Sequence, residues 1–525
     1  MAAAAGRLRS RFPVLSAVLL SLPALAALSN EEVQRLAAGL AACGSTLTSF
    51  TLRNEESDKY RAPVIQCRQR GEALPLVDPL YQLFSAHPAA LTLRLSHLLY
   101  GLPGLTSLDL GGLVDLLGHP QRWCCEYHCE RRPCGFPEVF LIYAQLGGLS
   151  RLTSLRLVCT FVGGGLGLLA PSVERLAPSL RHLAIVAANS SYDHEFDADD
   201  DQPKAMPDVG YLGRLTSLET LELSVAAGSN FLAANQHDVG RPPRWLASLT
   251  RLTRLEAEGC VFSSGRDAAV LAGLPRLRGL SLSGFWHPED VDLSAVAGVT
   301  RLKCRTSWCD LYALLSTFPD LAEADFGLSG RHPSAPAVPA HLGRKLRRLT
   351  ARVYLPLSGS SGCDELRLLL TGLPALRQLH VASGSIGGAQ LPPLLHAAPA
   401  LEELTLSGDL AGLSDDALAS CPAFPSLRAL ALIDDGGRGG ALDKRPAVPL
   451  AGLSSSGLLA LGRAFPGLTR LSLGEGVLPE RRRAWWEGLR RGIAATGFCS
   501  DASLLVAVRR VLRREAARLA QEATP

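Results

Sequence analysis

A leucine frame recurs along the 525-residue chain and constrains its fold more than any other feature. In its full form the frame reads P-x-L-x-x-L-x-L, as in the stretches Leu102–Leu110 and Leu373–Val381. Other copies lack the proline, and two less complete copies begin at Leu47 and Ala90. Through the middle of the chain the copies recur every 22 to 30 residues. One such unit cannot bury its own leucines, so successive units must stack into a solenoid.

Each copy of the frame predicts a short strand. The leucines of its final L-x-L point to one side of the strand, and the x residues point to the other. The segments between the strands, such as residues 265–275 and 363–374, have apolar periodicity and suit short helices with Asp or Ser near their starts. The proline ahead of many strands ends the preceding helix. We therefore expect an α/β solenoid with parallel strands on one side and short helices on the other.

These motifs resemble those of the leucine-rich-repeat superfamily over the range from Leu47 to Leu473. The unit lengths and helical segments are most similar to the ribonuclease-inhibitor-like and F-box-associated subtypes. The resemblance implies a horseshoe with its strands on the concave face, its helices on the convex face, and a protein partner bound on the concave face. One feature departs from the family, which places Asn or Cys three residues after the last leucine. Thr160 and Gly384 stand at that position here, which implies less regular coils.

The domain prediction divides the chain into an N-terminal edge repeat or cap (1–46), the solenoid (47–478) and a helical C-terminal cap (479–525). Within the solenoid we expect three insertions, at residues 111–148, 189–208 and 433–449. A polar cap suits the end of a solenoid. The alternative for 479–525 is a basic amphipathic helix that contacts a membrane surface or a partner, because Trp485 and Trp486 follow three arginines.

Residues 12–30 have two interpretations. Phe12–Leu20 matches the frame at Phe424, which predicts a first strand spaced 32 residues from the frame at Leu47. Arginines before an apolar run, followed by Ala24–Ala26, instead fit a cleaved signal or transit segment of residues 1–27. We favour the repeat, which goes with an intracellular, cytoplasmic location that includes the cytoskeleton or a ciliary axoneme. The alternative is a secreted or organellar protein.

One cluster is the only serious candidate for a metal site in the sequence. Zinc prefers four tetrahedral Cys or His ligands, and five candidates lie within eleven residues: Cys124, Cys125, His128, Cys129 and Cys134. Adjacent cysteines chelate one ion poorly, and no second C-x-x-C follows. We expect free thiols in a loop, with a zinc site or a disulfide-pinned loop as the alternatives. No other cofactor is expected.

The remaining chemistry favours a binding protein. We find no nucleophile elbow, zinc-protease motif or phosphate-binding loop in the sequence. A net charge of +4 gives no general argument for nucleic acid, and no apolar run reaches the roughly 18 residues of a spanning helix. We therefore expect a non-enzyme that binds protein and not nucleic acid, without a transmembrane segment.

The x residues of several strands form charged rows on the predicted concave face. Such rows can pair with each other across neighbouring strands, or they can form a recognition patch that selects a partner. The candidate partner-binding residues are Arg254, Glu256, Glu258, Arg301, Lys303, Arg305, Glu323, Asp325, Arg348 and Arg352.

The sequence thus predicts a non-enzymatic scaffold for protein–protein interaction. The resemblance is also compatible with a substrate adaptor of a ubiquitin ligase. Such an adaptor, however, needs a helical module of about forty residues before its repeats. The resemblance is equally compatible with a structural subunit of the axoneme or cytoskeleton and with a secreted or surface receptor-like binder. Fold alone does not choose among these functions.

Overall fold

The computed structural model describes the parts of the chain that hold the repeat frames. The described residues are 16–21, 25, 28–43, 46–53, 88–111, 141–160, 168–188, 210–225, 244–262, 265–285, 293–329, 338, 340–353, 360–383, 390–408, 413, 415–434 and 464–473. The chain divides into two compact units. Unit 1 comprises Met1–Gly284 and Val291–Val296, and unit 2 comprises Phe285–Asp290 and Ala297–Pro525.

The strands of unit 1 follow one another in chain order across a sheet. Those from β1 to β7 pair in parallel, with Val18 opposite Phe50 at the first pairing. The strands are β1 (Ala17–Ser21), β2 (Ser49–Arg53), β3 (Ser107–Asp109), β4 (Ser154–Thr160), β5 (His182–Ala188), β6 (Thr220–Val225), β7 (Arg254–Phe262) and β8 (Gly279–Phe285, whose last residue falls in unit 2).

A layer of short helices connects the strands of unit 1, and each helix packs on its neighbour in the chain. Ser29 begins the first helix with a capping box, in which its hydroxyl and the Glu32 carboxylate bond each other's backbone N–H. The helices are α1 (Asn30–Ala42), α2 (Pro88–Tyr100), α3 (Ala170–Leu176) and α4 (Gly265–Ala272), with 3₁₀ helices at Leu141–Gly148, Gly210–Arg214, Arg244–Ser248 and Ser294–Val296.

Unit 2 repeats the same plan with seven described strands, all paired in parallel and in chain order. They are β9 (Arg301–Ser307), β10 (Glu323–Ser329), β11 (Arg348–Val353), β12 (Gln378–Ser383), β13 (Glu403–Gly408), β14 (Ala429–Asp434) and β15 (Arg470–Leu473). The helices between them are α5 (Trp308–Thr317), α6 (Ala340–Lys345), α7 (Ser360–Thr371), α8 (Leu391–Ala397) and α9 (Asp415–Ala419).

The leucines of the frame form the core of each unit. In β4 the frame leucines Leu155 and Leu157 are buried, whereas Arg156 between them is exposed. Helix α7 contributes Leu366, Leu369 and Leu370 to the core of unit 2, an i, i+3, i+4 set that lies on one side of a helix. Strands and helices thus bury one apolar layer between them, and the predicted fold class, an α/β leucine-rich-repeat solenoid, is confirmed.

A repeated hydrogen-bond pattern joins consecutive coils at the start of each strand. In the third coil, the carbonyl oxygen of Thr106 accepts bonds from the backbone N–H groups of Thr153 and Ser154 in the fourth coil. The Thr153 hydroxyl donates to the same carbonyl at 3.0 Å. Four further threonines donate in this way, at 3.0–3.2 Å: Thr48, Thr106, Thr253 and Thr469. These hydroxyls bond coil to coil at the start of the strand, whereas the family's Asn or Cys stands after its end.

One predicted strand is wrong. The incomplete frame at Ala90 lies inside α2, where Leu95, Leu98 and Leu99 are buried and Leu93 is half exposed. That spacing belongs to a helix that packs on α1. The alternation of Leu91, Leu93 and Leu95 is therefore accidental.

Several domain predictions fall wholly or partly outside the described residues. The C-terminal segment 479–525 and the acidic insertion 189–208 lie outside them entirely, as does 433–449 apart from the end of β14. Of the predicted insertion 111–148, residues 141–148 form the 3₁₀ helix that packs between α2 and α3. The strand β1 stands where the repeat interpretation of residues 12–30 expects one, and cleavage of residues 1–27 stays a prediction. Among the described helices, none has the length and apolar character to cross a membrane.

Candidate functional site

The candidate site is the side of β9, β10 and β11 that carries the x residues of the frame. The pairing register sets nine positions in three rows, with each residue of β10 directly between one of β9 and one of β11. We call these nine residues the basic face of unit 2. Row one is Arg301, Glu323 and Arg348, row two is Lys303, Asp325 and Thr350, and row three is Arg305, Gly327 and Arg352.

The alternate residues of the same strands hold the basic face in place. Leu302, Ala324, Phe326, Leu349 and Ala351 are buried in the core on the opposite side of the sheet. Because a strand alternates its side chains, anchoring these residues sets the direction of the nine charged or small ones. The basic face is therefore built on regular sheet.

Cys304 lies among these buried residues, directly between Lys303 and Arg305 in sequence. Burial and, secondarily, the negative charge of Asp325 raise the pKa of its thiol. A thiol that stays protonated at neutral pH is a poor nucleophile. Cys304 is therefore a core residue of the sheet and contributes no chemistry to the face.

Row one contains an internal ion-pair cluster centred on Glu323. Its Oε2 lies 3.4 Å from Arg301 Nε and 3.9 Å from Arg348 Nη1. Arg348 also donates through Nε to the side-chain oxygen of Gln378 on β12. One carboxylate is thus held between two arginines that come from the two neighbouring strands.

The aspartate of row two forms an ion pair with an arginine of row three. Arg352 Nη2 donates to Asp325 Oδ2 at 2.8 Å. The other carboxylate oxygen, Oδ1, is buried and has no hydrogen-bond partner among the described residues. Both acids of the basic face therefore have arginine partners inside the face itself.

The charge of the basic face is strongly unbalanced. Five of its nine residues are cationic and two are anionic, so the face carries three excess positive charges. Arg301, Arg348 and Arg352 keep 64%, 54% and 45% of their side-chain surface exposed. Of the two possibilities that the sequence left open, the pairing of rows across strands is seen here, and a recognition patch for a partner stays a prediction. The acids are paired, and the cations outnumber them.

His380 lies beside this face on β12. Its Nε2 is 3.0 Å from the hydroxyl oxygen of the buried Ser407 on β13. Burial and, less strongly, the positive charge of Arg352 lower the pKa of His380, against the opposing charge of Asp325. The imidazole is therefore neutral at pH 7 and adds no charge to the face.

Further along the same sheet, Arg470 on β15 donates through Nη2 to the Glu403 carboxylate on β13. It does so across β14, where the intervening position is the small residue Ala429. Sequence reasoning missed this pair and Gly327. A comparison of the residues at the same x position of successive coils, uncharged residues included, would have found them.

The remaining predicted site residues are not among the nine that define the basic face. Arg254 and Glu256 lie in unit 1, where Arg254 Nε donates to Glu256 Oε1 at 2.6 Å. The side chain of Glu258 and the cluster Cys124–Cys134 lie outside the described residues, and both the zinc site and the disulfide stay predictions. Across the described ranges, no three His, Cys, Asp or Glu side chains come close enough to hold a metal ion.

Among protein families, curated proteins and solved structures, only solved structures match this chain. No protein family matches the sequence, and no curated protein matches it either. The structure is similar to a crystal structure of a TLR13–ssRNA13 complex, at 18% identity and a TM-score of 0.33, covering 72% of this chain and 44% of that one. It is also similar to the leucine-rich-repeat-containing protein LegL7 from Legionella pneumophila, at 16% identity and a TM-score of 0.31, covering 61% and 83% of the two chains.

A third solved structure, internalin C2 from Listeria monocytogenes, matches at 18% identity and a TM-score of 0.18, covering 44% of this chain and 74% of that one. At these TM-scores the likenesses carry no argument about function. The parallel strands, the helical layer and the leucine frame of the chain itself define its class, a leucine-rich-repeat solenoid. Unit 2 of this solenoid has a positively charged strand face.

Proposed function

We propose that this chain is a non-enzymatic scaffold that binds a partner protein on the basic face of unit 2. The observation that carries the proposal is the excess of five cationic over two anionic side chains on nine neighbouring positions. A partner that presents acidic residues would complement this charge. Complementary charge steers encounter and selects partners more than it adds affinity.

The geometry of the face supports a protein partner. The nine positions lie on three paired strands, so they span roughly 10 Å across the strands at about 4.8 Å per strand. Anchoring by buried neighbours keeps the arginines in fixed rows, which lowers the entropy lost on binding. A face of this kind suits an acidic surface or an acidic extended segment.

The test is a comparison of partners captured by three forms of the full chain. The face variant reverses three cations, Arg301→Glu, Arg305→Glu and Arg348→Glu. The control variant reverses three exposed cations on the helices of unit 2, Arg344→Glu, Lys345→Glu and Arg367→Glu. The two variants change the net charge equally. We expect the face variant to lose partners that the wild type and the control keep. Retention of the whole partner set by the face variant would disprove the proposal.

A positive face also suits nucleic acid, and the expectation that the chain binds none stays a prediction. The same three proteins are therefore titrated with a labelled single-stranded RNA. RNA binding that only the face variant loses, with its protein partners unchanged, would replace the proposed partner class.

The location in the cell is part of the proposal. We place the protein inside the cell, in the cytoplasm, with the first repeat retained. Mass spectrometry of the N-terminus of the mature protein tests this, since cleavage near residue 27 would support a secreted or organellar protein. A ligase adaptor and an axonemal subunit are distinguished by the identity of the captured partners.

A further inference from the structure

The sheet of unit 1 begins with an apolar edge strand. Among the described strands, β1 is the first in the sheet and pairs only with β2. Its residues, Ala17–Ser21, read AVLLS and include no charged residue and no proline. Natural proteins commonly place charges, prolines or bulges on edge strands, because an unprotected edge pairs with further strands. The composition of β1 provides neither of the first two protections.

Both sides of β1 expose apolar surface. Val18 and Leu20 occupy frame positions and are only half buried. Their partners on β2, Phe50 and Leu52, are 0% and 1% exposed. Leu19, on the side of the x residues, is 51% exposed. The burial of the leucine frame is therefore incomplete at β1 and complete one strand further along the sheet.

Alternate residues of β1 direct their backbone groups to its outer edge. The Ser16 carbonyl accepts a hydrogen bond from the Ser49 N–H at 3.0 Å, so this carbonyl faces β2. Consecutive residues of a strand direct their N–H and C=O groups to opposite edges, so every second residue after Ser16 also faces β2. The residues between them, Ala17, Leu19 and Ser21, direct theirs away from β2.

We propose that β1 pairs with β1 of a second copy of this chain, antiparallel and with the two-fold axis at Leu19. In this register Leu19 lies opposite Leu19 of the second copy, and Ala17 lies opposite Ser21 of the second copy. Because these residues face the outer edge, each such pair exchanges two backbone hydrogen bonds. The inference goes beyond the proposed function, since it concerns a different strand and a different partner.

A second copy suits this edge because the side chains of β1 complement themselves. Under the two-fold axis Val18 lies opposite Leu20 of the second copy, on the core side of both sheets. The half-buried frame residues of one copy then cover those of the other, so their burial is completed on both copies at once. The strand has no charge that would select an acidic or basic partner. The contact is isologous and uses β1 of both copies, so association through it stops at the dimer.

The test measures self-association of the full chain by sedimentation velocity over a dilution series. We expect the wild type to shift from the monomer towards twice the monomer mass as its concentration rises. Leu19→Lys places two like charges opposite each other and should weaken dimerisation about tenfold. The matched control is Leu93→Lys, because Leu93 on α2 of the same unit is 50% exposed. This control should change dimerisation by less than about twofold.

A mixture of two variants tests the register. Leu19→Glu alone should weaken dimerisation as Leu19→Lys does, and for the same reason. Mixed in equal amounts, the two should form a heterodimer about tenfold more tightly than either forms a homodimer, because opposite charges then lie directly across the two-fold axis. A fluorophore on one variant detects the heterodimer. The mixture of Leu93→Lys with Leu93→Glu should show no such preference, and circular dichroism melting curves establish that each variant is folded.

The inference is overturned if Leu19→Lys dimerises as tightly as the wild type, if Leu93→Lys weakens dimerisation as much, or if the Leu19 mixture gains nothing. A wild type that stays monomeric, with a melting temperature that Leu19→Lys lowers, would mean that the same chain covers β1, and would also overturn it. Cleavage near residue 27 would remove β1 from the mature protein and the inference with it. The proposed function is tested separately, because the triple charge reversal changes no residue of β1.

Discussion

The hydroxyl of Tyr143 bonds both backbone polar groups of Val158. It donates to the Val158 carbonyl at 2.5 Å and accepts from the Val158 N–H at 3.1 Å. Tyr143 is fully buried, so no water can replace it. One side chain from the helical layer thus bonds the backbone of strand β4 at Val158.

Replacing Tyr143 with Phe should destabilise the chain. The substitution keeps the ring and leaves a buried donor and a buried acceptor without a partner, each costing about 1–3 kcal/mol. We expect the free energy of unfolding to fall by about 2–6 kcal/mol in urea titrations followed by circular dichroism. Tyr100→Phe is the matched control, because Tyr100 is 94% exposed and should change stability by less than about 0.5 kcal/mol. Equal effects of the two substitutions would contradict the role of the hydroxyl.

Gly273 allows two helical segments to approach closely. A Cβ at this position would lie 2.7 Å from the carbonyl oxygen of Ala247 and 2.8 Å from its Cβ. Gly273→Ala should therefore lower the free energy of unfolding by about 1–3 kcal/mol, the usual cost of overpacking. At Gly148 a Cβ meets no atom within 4 Å, so Gly148→Ala should be close to neutral. A neutral Gly273→Ala in thermal melts would show that this contact relaxes easily.

Glu323→Gln should affect binding more than folding. The carboxylate is 34% exposed and its arginines more so, and solvent-screened pairs of this kind contribute about 0–1 kcal/mol to stability. Removing the negative charge leaves five cations against one anion on the basic face. We expect octaglutamate, an acidic model peptide, to bind roughly two- to fivefold more tightly at low salt, and the gain to disappear as salt screens the charges.

The control for Glu323→Gln is Asp364→Asn. Asp364 pairs with Arg367 on helix α7, so this substitution removes one negative charge away from the strands. Octaglutamate binding should not change. A gain as large as that of Glu323→Gln would mean that net charge, and not the basic face, decides the affinity.

His380 should make stability depend on pH in mildly acidic solution. Its pKa is lower in the folded chain than in the unfolded chain, first because of burial and then because of Arg352. Below the ordinary histidine pKa of about 6.5 the unfolded chain binds the proton more readily, so stability falls as the pH decreases through the lowered pKa. The contribution is fully present above the unfolded pKa. His380→Gln should flatten the stability curve below the ordinary histidine pKa of about 6.5.

The control for this prediction is His182→Gln. His182 is exposed at a strand start in unit 1 and leaves the contacts of His380 unchanged. His182→Gln removes one histidine as His380→Gln does, so the difference between the two variants isolates the effect of the His380 site. An unchanged slope in His380→Gln would assign the titration to other groups.

Much of the fold could be predicted from the sequence because the leucine frame reports burial directly. Leu155 and Leu157 lie in the core as the alternation requires, and Arg156 is exposed between them. The frame failed at Ala90 because alternating leucines at 91, 93 and 95 also lie within a longer helical pattern. Only the packing of α2 on α1 decides between the two periods.

The candidate site was predictable in its charges and not in its contacts. Alternation placed Arg301, Glu323 and Arg348 on one side of the sheet. The sequence did not show that Glu323 faces both arginines, because the register between strands depends on the packing of the coils between them. The sequence also did not point to Gly327, because a residue without a side chain has no charge or polarity that could indicate a site. The contact between Tyr143 and Val158 was missed because we assigned residue 143 to an insertion.

The threonine hydrogen bonds between coils have a consequence for engineering. Donor and acceptor are separated by 32, 34, 41, 47 or 58 residues, yet the hydroxyl-to-carbonyl distance stays within 3.0–3.2 Å. The same bond between neighbouring strands therefore forms over separations of 32 to 58 residues, and a longer connection costs little additional loop entropy. A reporter domain or an epitope could be spliced between two coils with both neighbouring strands left in place.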